Sequence, residues 1–330
     1  MGEIPFLPHP WLRNPHAMTI LPAFSKSRAK KLDRESEAVL VEVELGCRVL
    51  IRKHVKATGT APILIIVHGL EGSASSAYVL SLTTKAMAAG FDVVRMNLRN
   101  CGGTLKLAPT LYNGGMSNDV LAVSDFLRTQ HPGREIILVG YSLGGNIVLK
   151  AAAECLDHKR VAGVCAVSPS IDLEACVGSM EKGFNRIYEM SFLHGLKKKV
   201  RAKSRLFPGR FDTSLLARIS SMRAFDDLIT APDGGYKNGV DYYTRASSRR
   251  MLNKITVPAL IVIAQDDPIV PFEIFRSPQI NSKYITLLAP AHGGHGGFIN
   301  NRIETNTYSI SHDRRWAENR IVQFCLHHWR

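Results

Sequence analysis

The run Gly140-Tyr141-Ser142-Leu143-Gly144 directly follows the apolar stretch Ile136-Ile137-Leu138-Val139. It leads into Asn146-Ile147-Val148-Leu149-Lys150-Ala151-Ala152-Ala153-Glu154, a good helix former. A serine with a glycine two residues away on each side, between strand and helix, has the form of a nucleophile elbow. The chain must turn sharply there, and a Cβ at either flank would collide with the neighbouring strand or helix. The turn lifts the Ser142 hydroxyl to the end of a sheet, within reach of a carbonyl carbon. A serine hydroxyl is a weak nucleophile by itself. It needs an imidazole to take its proton, an acid to orient that imidazole, and backbone donors to hold the oxyanion that forms.

Those parts are present downstream and upstream. Pro258-Ala259-Leu260-Ile261-Val262-Ile263-Ala264 reads as a buried strand ending at Gln265-Asp266-Asp267-Pro268, so Asp267 or Asp266 offers an acid at a strand tip. Tyr284-Ile285-Thr286-Leu287-Leu288 reads as a further strand leading into Ala291-His292-Gly293-Gly294-His295-Gly296-Gly297-Phe298. The glycines around His295 allow a sharp loop that presents its ring to Ser142; His292, nearer the strand end, is the alternative base. Ser, Asp and His follow one another in the order this architecture uses. Upstream, Ile63-Leu64-Ile65-Ile66-Val67 is a strand-like run that enters His68-Gly69-Leu70-Glu71-Gly72-Ser73. The expected oxyanion donors are the N–H of Leu143, the residue after the serine, and the N–H of Leu70. Gly69 permits close approach there, and His68 is read as bracing the loop through backbone hydrogen bonds.

The same stretches carry a family resemblance. Together with Pro10-Trp11-Leu12-Arg13-Asn14-Pro15-His16, Asn97-Leu98-Arg99-Asn100-Cys101-Gly102-Gly103 and Gly144-Gly145-Asn146, they resemble the YheT-like members of the α/β-hydrolase superfamily over nearly the whole chain. That group comprises bacterial esterases and eukaryotic membrane-lipid hydrolases and acyltransferases. One departure is Tyr112-Asn113-Gly114-Gly115, where the family tends to have histidine in place of Asn113. The resemblance implies a serine carboxylester hydrolase that works through an acyl-serine on short- to medium-chain or lipid-like esters and needs no cofactor. It also favours Asp267 as the acid, because such acids commonly precede an x-Ile-Val-Pro segment, here Pro268-Ile269-Val270-Pro271. Asp266 is then expected to cap the loop. Two alternatives stand beside hydrolysis: acyl transfer to an alcohol, which shares the first half of the chemistry, and ligand binding without catalysis, which has no need of all four parts.

Positioning these residues requires an α/β architecture. A strand pair, Val39–Leu45 and Arg48–Arg52, precedes alternating apolar runs and helical stretches, with strands also at Asp92–Met96 and Ala162–Val167. The pattern predicts an α/β-hydrolase fold: a mostly parallel twisted sheet with helices on both faces. The alternation breaks after Asp172. Glu181–Leu193 has helical apolar spacing, and residues 172–248 are read as an inserted helical cap, with an ordinary pair of crossover helices as the alternative. The expected division is core 1–171, including an N-terminal extension 1–36, then cap 172–248, then core 249–330.

At 330 residues with 45% hydrophobic content, the chain can bury one large core. No apolar run approaches the roughly 20 residues that span a bilayer, and Met1-Gly2-Glu3-Ile4-Pro5 lacks a secretory form. Phe6 stands where a myristoylation signal needs Ser or Thr. Six scattered cysteines without a C-x-x-C pair read as reduced thiols of a cytoplasmic protein. Metal catalysis is not expected, since His327-His328 lacks clustered acids. The formal charge of +14 gathers at Lys26, Arg28, Lys30 and Lys31, and again at Lys197, Lys198, Lys199, Arg201, Lys203 and Arg205. Nucleic-acid binding is not expected, because stacking aromatics and recognition motifs are missing. Peripheral contact with an anionic membrane fits the charge; a solvated basic face is the other reading. Oligomeric state is not specified by the sequence.

Overall fold

The computed structural model describes residues 5–23, 29–155, 157, 160–301 and 313–329. Lys26 and Arg28 of the first basic cluster lie outside these residues. Eight strands form one sheet: β1 Glu37–Glu44, β2 Cys47–His54, β3 Ile63–Val67, β4 Asp92–Met96, β5 Ile136–Tyr141, β6 Gly163–Val167, β7 Ala259–Val262 and β8 Ile285–Leu288. Their spatial order is β1-β2-β4-β3-β5-β6-β7-β8. The β1-β2 and β2-β4 pairs are antiparallel; every other pair in this sheet is parallel.

The helices are α1 Pro15–Ala23, α2 Ala29–Arg34, α3 Ala77–Ala88, α4 Ser117–Gln130, α5 Leu143–Glu154, α6 Leu173–Met180, α7 Arg186–Leu206, α8 Met222–Phe225, α9 Ala231–Asp233, α10 Gly239–Ala246 and α11 Trp316–Trp329. The central strands are fully buried because helices cover both faces, which is why they read as unbroken apolar runs. Period-two alternation still sorts their side chains. Ile63, Ile65 and Val67 join the cluster that includes α4 and α5, while Leu64 and Ile66 pack with α3 and α11. Among the described residues, no helix is long and apolar enough to cross a membrane.

Between β6 and β7 the chain forms α6 to α10, with a π-helical turn over Asp226–Thr230. The side chain of Asp172 caps α6 by accepting from Ala175 N, and Asn238 caps α10 by accepting from Asp241 N. The helix expected over Glu181–Leu193 is displaced. Gly183, at φ 49, interrupts it, and α7 starts at Arg186 and continues to Leu206. Its extension follows from Leu196, Val200 and Lys203, which keep the three- and four-residue spacing of the buried face.

Candidate active site

Three strand ends converge. Ser142 follows β5 and stands at φ 53, ψ −119, a left-handed conformation costly for any residue with a Cβ. The turn closes because a Cβ on Gly140 would strike the Gly144 carbonyl, and one on Gly144 would strike the carbonyls of Val67 and His68. Strand β3 and helix α5 can therefore approach only across glycine.

Asp267 follows β7 and His295 follows β8. The Ser142 hydroxyl lies 2.9 Å from His295 Nε2. His295 Nδ1 lies 2.9 Å from Asp267 Oδ2 and 3.1 Å from Oδ1. Asp267 Oδ1 also accepts the N–H groups of Ile269 and Val270, each at 2.9 Å. The Pro268-Ile269-Val270 turn thus folds back onto the carboxylate, whose side chain is wholly buried. Asp266 does something else: it accepts Gly294 N at 2.9 Å and pairs with exposed His292 at 3.1 Å. The two acids and two histidines form separate pairs.

The His295 loop is held from the N-terminal side. Thr19 Oγ1, on α1, accepts His295 N at 2.9 Å and donates to the Pro15 carbonyl at 2.7 Å. A Cβ on Gly297 would strike the Met18 carbonyl, so the loop lies directly on α1. Ser168 Oγ accepts Gly296 N at 3.0 Å. Sequence patterning does not single out Thr19; the segment Pro10–His16 in front of it stands out only through the family resemblance.

On the opposite side of Ser142 lies the loop after β3. The N–H of Gly69 donates to Tyr78 Oη at 2.9 Å, that of Glu71 to Tyr112 Oη at 2.8 Å, and that of Gly72 to the Gly69 carbonyl at 3.1 Å. Among the described residues, the N–H groups of Leu70 and Leu143 have no hydrogen-bond partner. Leu143 opens α5, where the first N–H groups lack intrahelical acceptors. His68 is buried; its Nε2 accepts Leu98 N at 3.1 Å, so Nδ1 is the protonated nitrogen and donates to the Gly69 carbonyl at 2.8 Å. Burial lowers its pKa to about 4 and keeps the ring neutral. Glu71, at φ 56, is strained, and its carboxylate is gripped by Tyr112 Oη at 2.8 Å and by Lys199 Nζ of α7 at 2.6 Å.

Two cavities meet at Ser142 and His295. One, narrow and of about 70 Å³, runs beneath the helices that follow β6 and is lined by Leu173, Val177, Met180, Met222 and Phe225 among others. Its polar lining includes Asn113, whose Oδ1 accepts Gly115 N at 2.9 Å, and Asp226, which accepts Thr230 Oγ1 at 2.7 Å and Tyr243 Oη at 2.9 Å. Burial raises the pKa of Asp226 to about 6. The other cavity, of about 430 Å³, lies between α1 and the start of α7, lined by Thr19, Ile20, Pro22, Ile187 and Tyr188. Leu70, Phe192 and Ile269 border both.

An elbow serine at the centre of this sheet, with its partners at later strand ends, defines an α/β hydrolase, and residues 62–301 match the α/β hydrolase fold family. The chain belongs to that family, and within it to the YheT-like group. YheT of Escherichia coli, which carries an esterase name, is 35% identical over 262 residues, covering 79% of this chain and 75% of that protein. The monoacylglycerol lipase of Saccharomyces cerevisiae is 32% identical over 275 residues, 80% of this chain and 58% of the yeast protein. Phospholipase ABHD3 of Mus musculus is 28% identical over 242 residues, 73% of this chain and 59% of its own length. The matched region is therefore somewhat over half of these two eukaryotic relatives. Among solved structures, the Pyrococcus furiosus esterase Pf2001 shares the fold, with a TM-score of 0.59 at 14% identity over 93% of this chain and 98% of that one.

Proposed function

We propose that the chain is a serine carboxylester hydrolase acting on short- to medium-chain or lipid-like acyl esters. The observation that carries this reading is the hydrogen-bonded series Ser142 Oγ, His295 Nε2, His295 Nδ1, Asp267, with links of 2.9 Å. In it, neutral His295 takes the proton as Ser142 Oγ attacks the ester carbonyl carbon. Asp267 holds the productive tautomer and stabilises the imidazolium. The Leu70 and Leu143 amides receive the oxyanion, each such donor stabilising it by roughly 3–4 kcal/mol. The intermediate collapses by breaking the C–O bond, the alcohol leaves with the proton from His295, and an acyl-serine remains. Water activated by the same ring then attacks that acyl carbon, and the acid is released.

The names of the E. coli, yeast and mouse relatives support an ester or lipid substrate. In this reading residues 172–248 are a cap over the acyl cavity, and the remainder is the core. Six cysteines, all buried and free of disulfides, support a cytoplasmic location, and the formal charge of +14 supports peripheral contact with an anionic membrane. Hydrolysis is preferred over transfer because the cavity between α1 and α7 is open and His295 lines it, which leaves a path for water to that ring.

The test joins fluorophosphonate labelling to a panel of p-nitrophenyl esters and phospholipids. One adduct on the parent protein, none on Ser142→Ala, and a fall in kcat of about 10⁵- to 10⁶-fold are expected. Labelling at another serine, or none, overturns the assignment. Ester as the main product at millimolar ethanol or glycerol would make the protein an acyltransferase.

A further inference from the structure

Helix α7 divides lengthwise. Tyr188, Leu193, Leu196, Val200 and Lys203 are buried. Ile187, Met190, His194, Lys198, Arg201 and Arg205 are exposed, and their spacing of three or four residues sets them on one stripe. The stripe is apolar at its start and cationic beyond. Phe184, in the turn just before it, is 54% exposed, and Met190 is 66% exposed. The inward cations of the same helix are taken up, Lys199 by Glu71 and Lys203 by the carbonyls of Leu105 and Ala108. Among the described residues, Lys198, Arg201 and Arg205 have no carboxylate partner.

The apolar end of the stripe borders the open cavity. Ile187 lines it opposite Ile20 and Pro22 of α1, and Leu21 between them is 58% exposed. The His16 ring of α1 packs 4.5 Å from that of Phe184, joining the two apolar patches.

We propose that this stripe is a docking surface for an anionic lipid bilayer. Phe184, Met190 and Leu21 enter the boundary between head groups and acyl chains, while Lys198, Arg201 and Arg205 lie against the head groups. A helical face that is apolar and cationic suits that interface, and the formal charge of +14 adds attraction to an anionic surface. A second copy of the chain fits worse, since two such stripes would bring like charges together. The placement deepens the proposed ester hydrolysis, and rests on it, by having substrate enter from the membrane directly above Ser142.

Docking is measured apart from catalysis by co-sedimentation of the Ser142→Ala protein with phosphatidylglycerol or phosphatidylcholine vesicles. Binding to phosphatidylglycerol only is expected. Lys198→Gln/Arg201→Gln/Arg205→Gln should weaken it about 100-fold, from about fivefold for each cation. Phe184→Ser/Met190→Ser should weaken it about tenfold or more. On a Ser142 background both variants should turn over a water-soluble p-nitrophenyl ester like the parent. Equal binding to both vesicles, parental binding by both variants, or a dimer in sedimentation equilibrium that both variants dissociate overturns the docking surface. A parent protein that binds phosphatidylglycerol and cleaves no ester sinks the hydrolase reading instead and leaves docking supported.

Discussion

Lys199 Nζ lies 2.6 Å from Glu71 Oε1, so a cation of α7 grips the residue next to Leu70. Both side chains are largely removed from solvent, at 10% and 22% exposure, and Tyr112 closes the contact by donating to the same oxygen. The strained φ of 56 at Glu71 persists only while neighbours hold it. If the Leu70 amide is an oxyanion donor, Lys199 and Glu71 are positioning residues for it. Lys199→Met and Glu71→Gln should each lower kcat by about 10- to 100-fold, as misplacing a donor does. KM should change little and Lys199→Arg should recover part of the loss. An equal loss in both parameters, with no recovery in arginine, would show that the contact only supports the fold.

The neighbouring acids should separate cleanly. Asp267 accepts two backbone N–H groups and faces His295, whereas Asp266 serves Gly294 N and exposed His292. Asp267→Asn should reduce kcat on the order of 10³-fold or more, because an amide no longer enforces the required tautomer. Asp266→Asn should cost about tenfold or less. Equal rates for the two variants would contradict the proposed division of labour.

The sheet is legible in sequence because buried parallel strands are plain apolar runs, and Ser142 and Asp267 stand just past such runs, while His295 stands in the glycine-rich loop beyond the partly buried edge strand β8. What the sequence does not disclose is long-range. Thr19 and His295 are 276 residues apart, and Lys199 and Glu71 are 128 apart; neither pair has a local pattern to mark it. The basic run of α7 is deceptive in a different way. Read linearly it is one charge cluster, yet helical geometry turns Lys199 and Lys203 inward and leaves Lys198, Arg201 and Arg205 outside. The start of α7 is hard to place from spacing because the apolar rhythm continues across Gly183, whose φ of 49 breaks the helix.

Thr19 is expected to act through His295. Its hydroxyl oxygen is the acceptor for His295 N, and its own proton goes to Pro15. Thr19→Val keeps the shape but leaves the His295 amide without that acceptor, so the loop should shift and kcat should fall about tenfold. Thr19→Ser restores the oxygen and should restore the rate. Matching losses in serine and valine variants would assign the effect to packing against the open cavity.

Asp226 supplies a prediction about stability against pH. Burial raises its pKa from 3.8 to about 6, with the hydrogen bonds from Thr230 and Tyr243 acting the other way. Between those values the folded chain keeps a proton that the unfolded chain has released. Its contribution is therefore present in full below pH 3.8 and is lost as pH rises through about 6. The size of that loss is about 3 kcal/mol. Asp226→Asn is neutral in both states and lacks the dependence. His54 and His68, lowered to about 4 by burial, act in the opposite sense, since stability rises as their unfolded-state charge disappears. They are common to both proteins and cancel in the difference. Urea unfolding of parent and variant at pH 4, 5, 6 and 7 should therefore show the parent losing roughly 2 kcal/mol relative to Asp226→Asn across that range, the rest of the loss falling below pH 4. A constant difference would mean that Asp226 is already ionised at pH 4 in the folded protein, and that Thr230 and Tyr243 hold its charge better than burial opposes it.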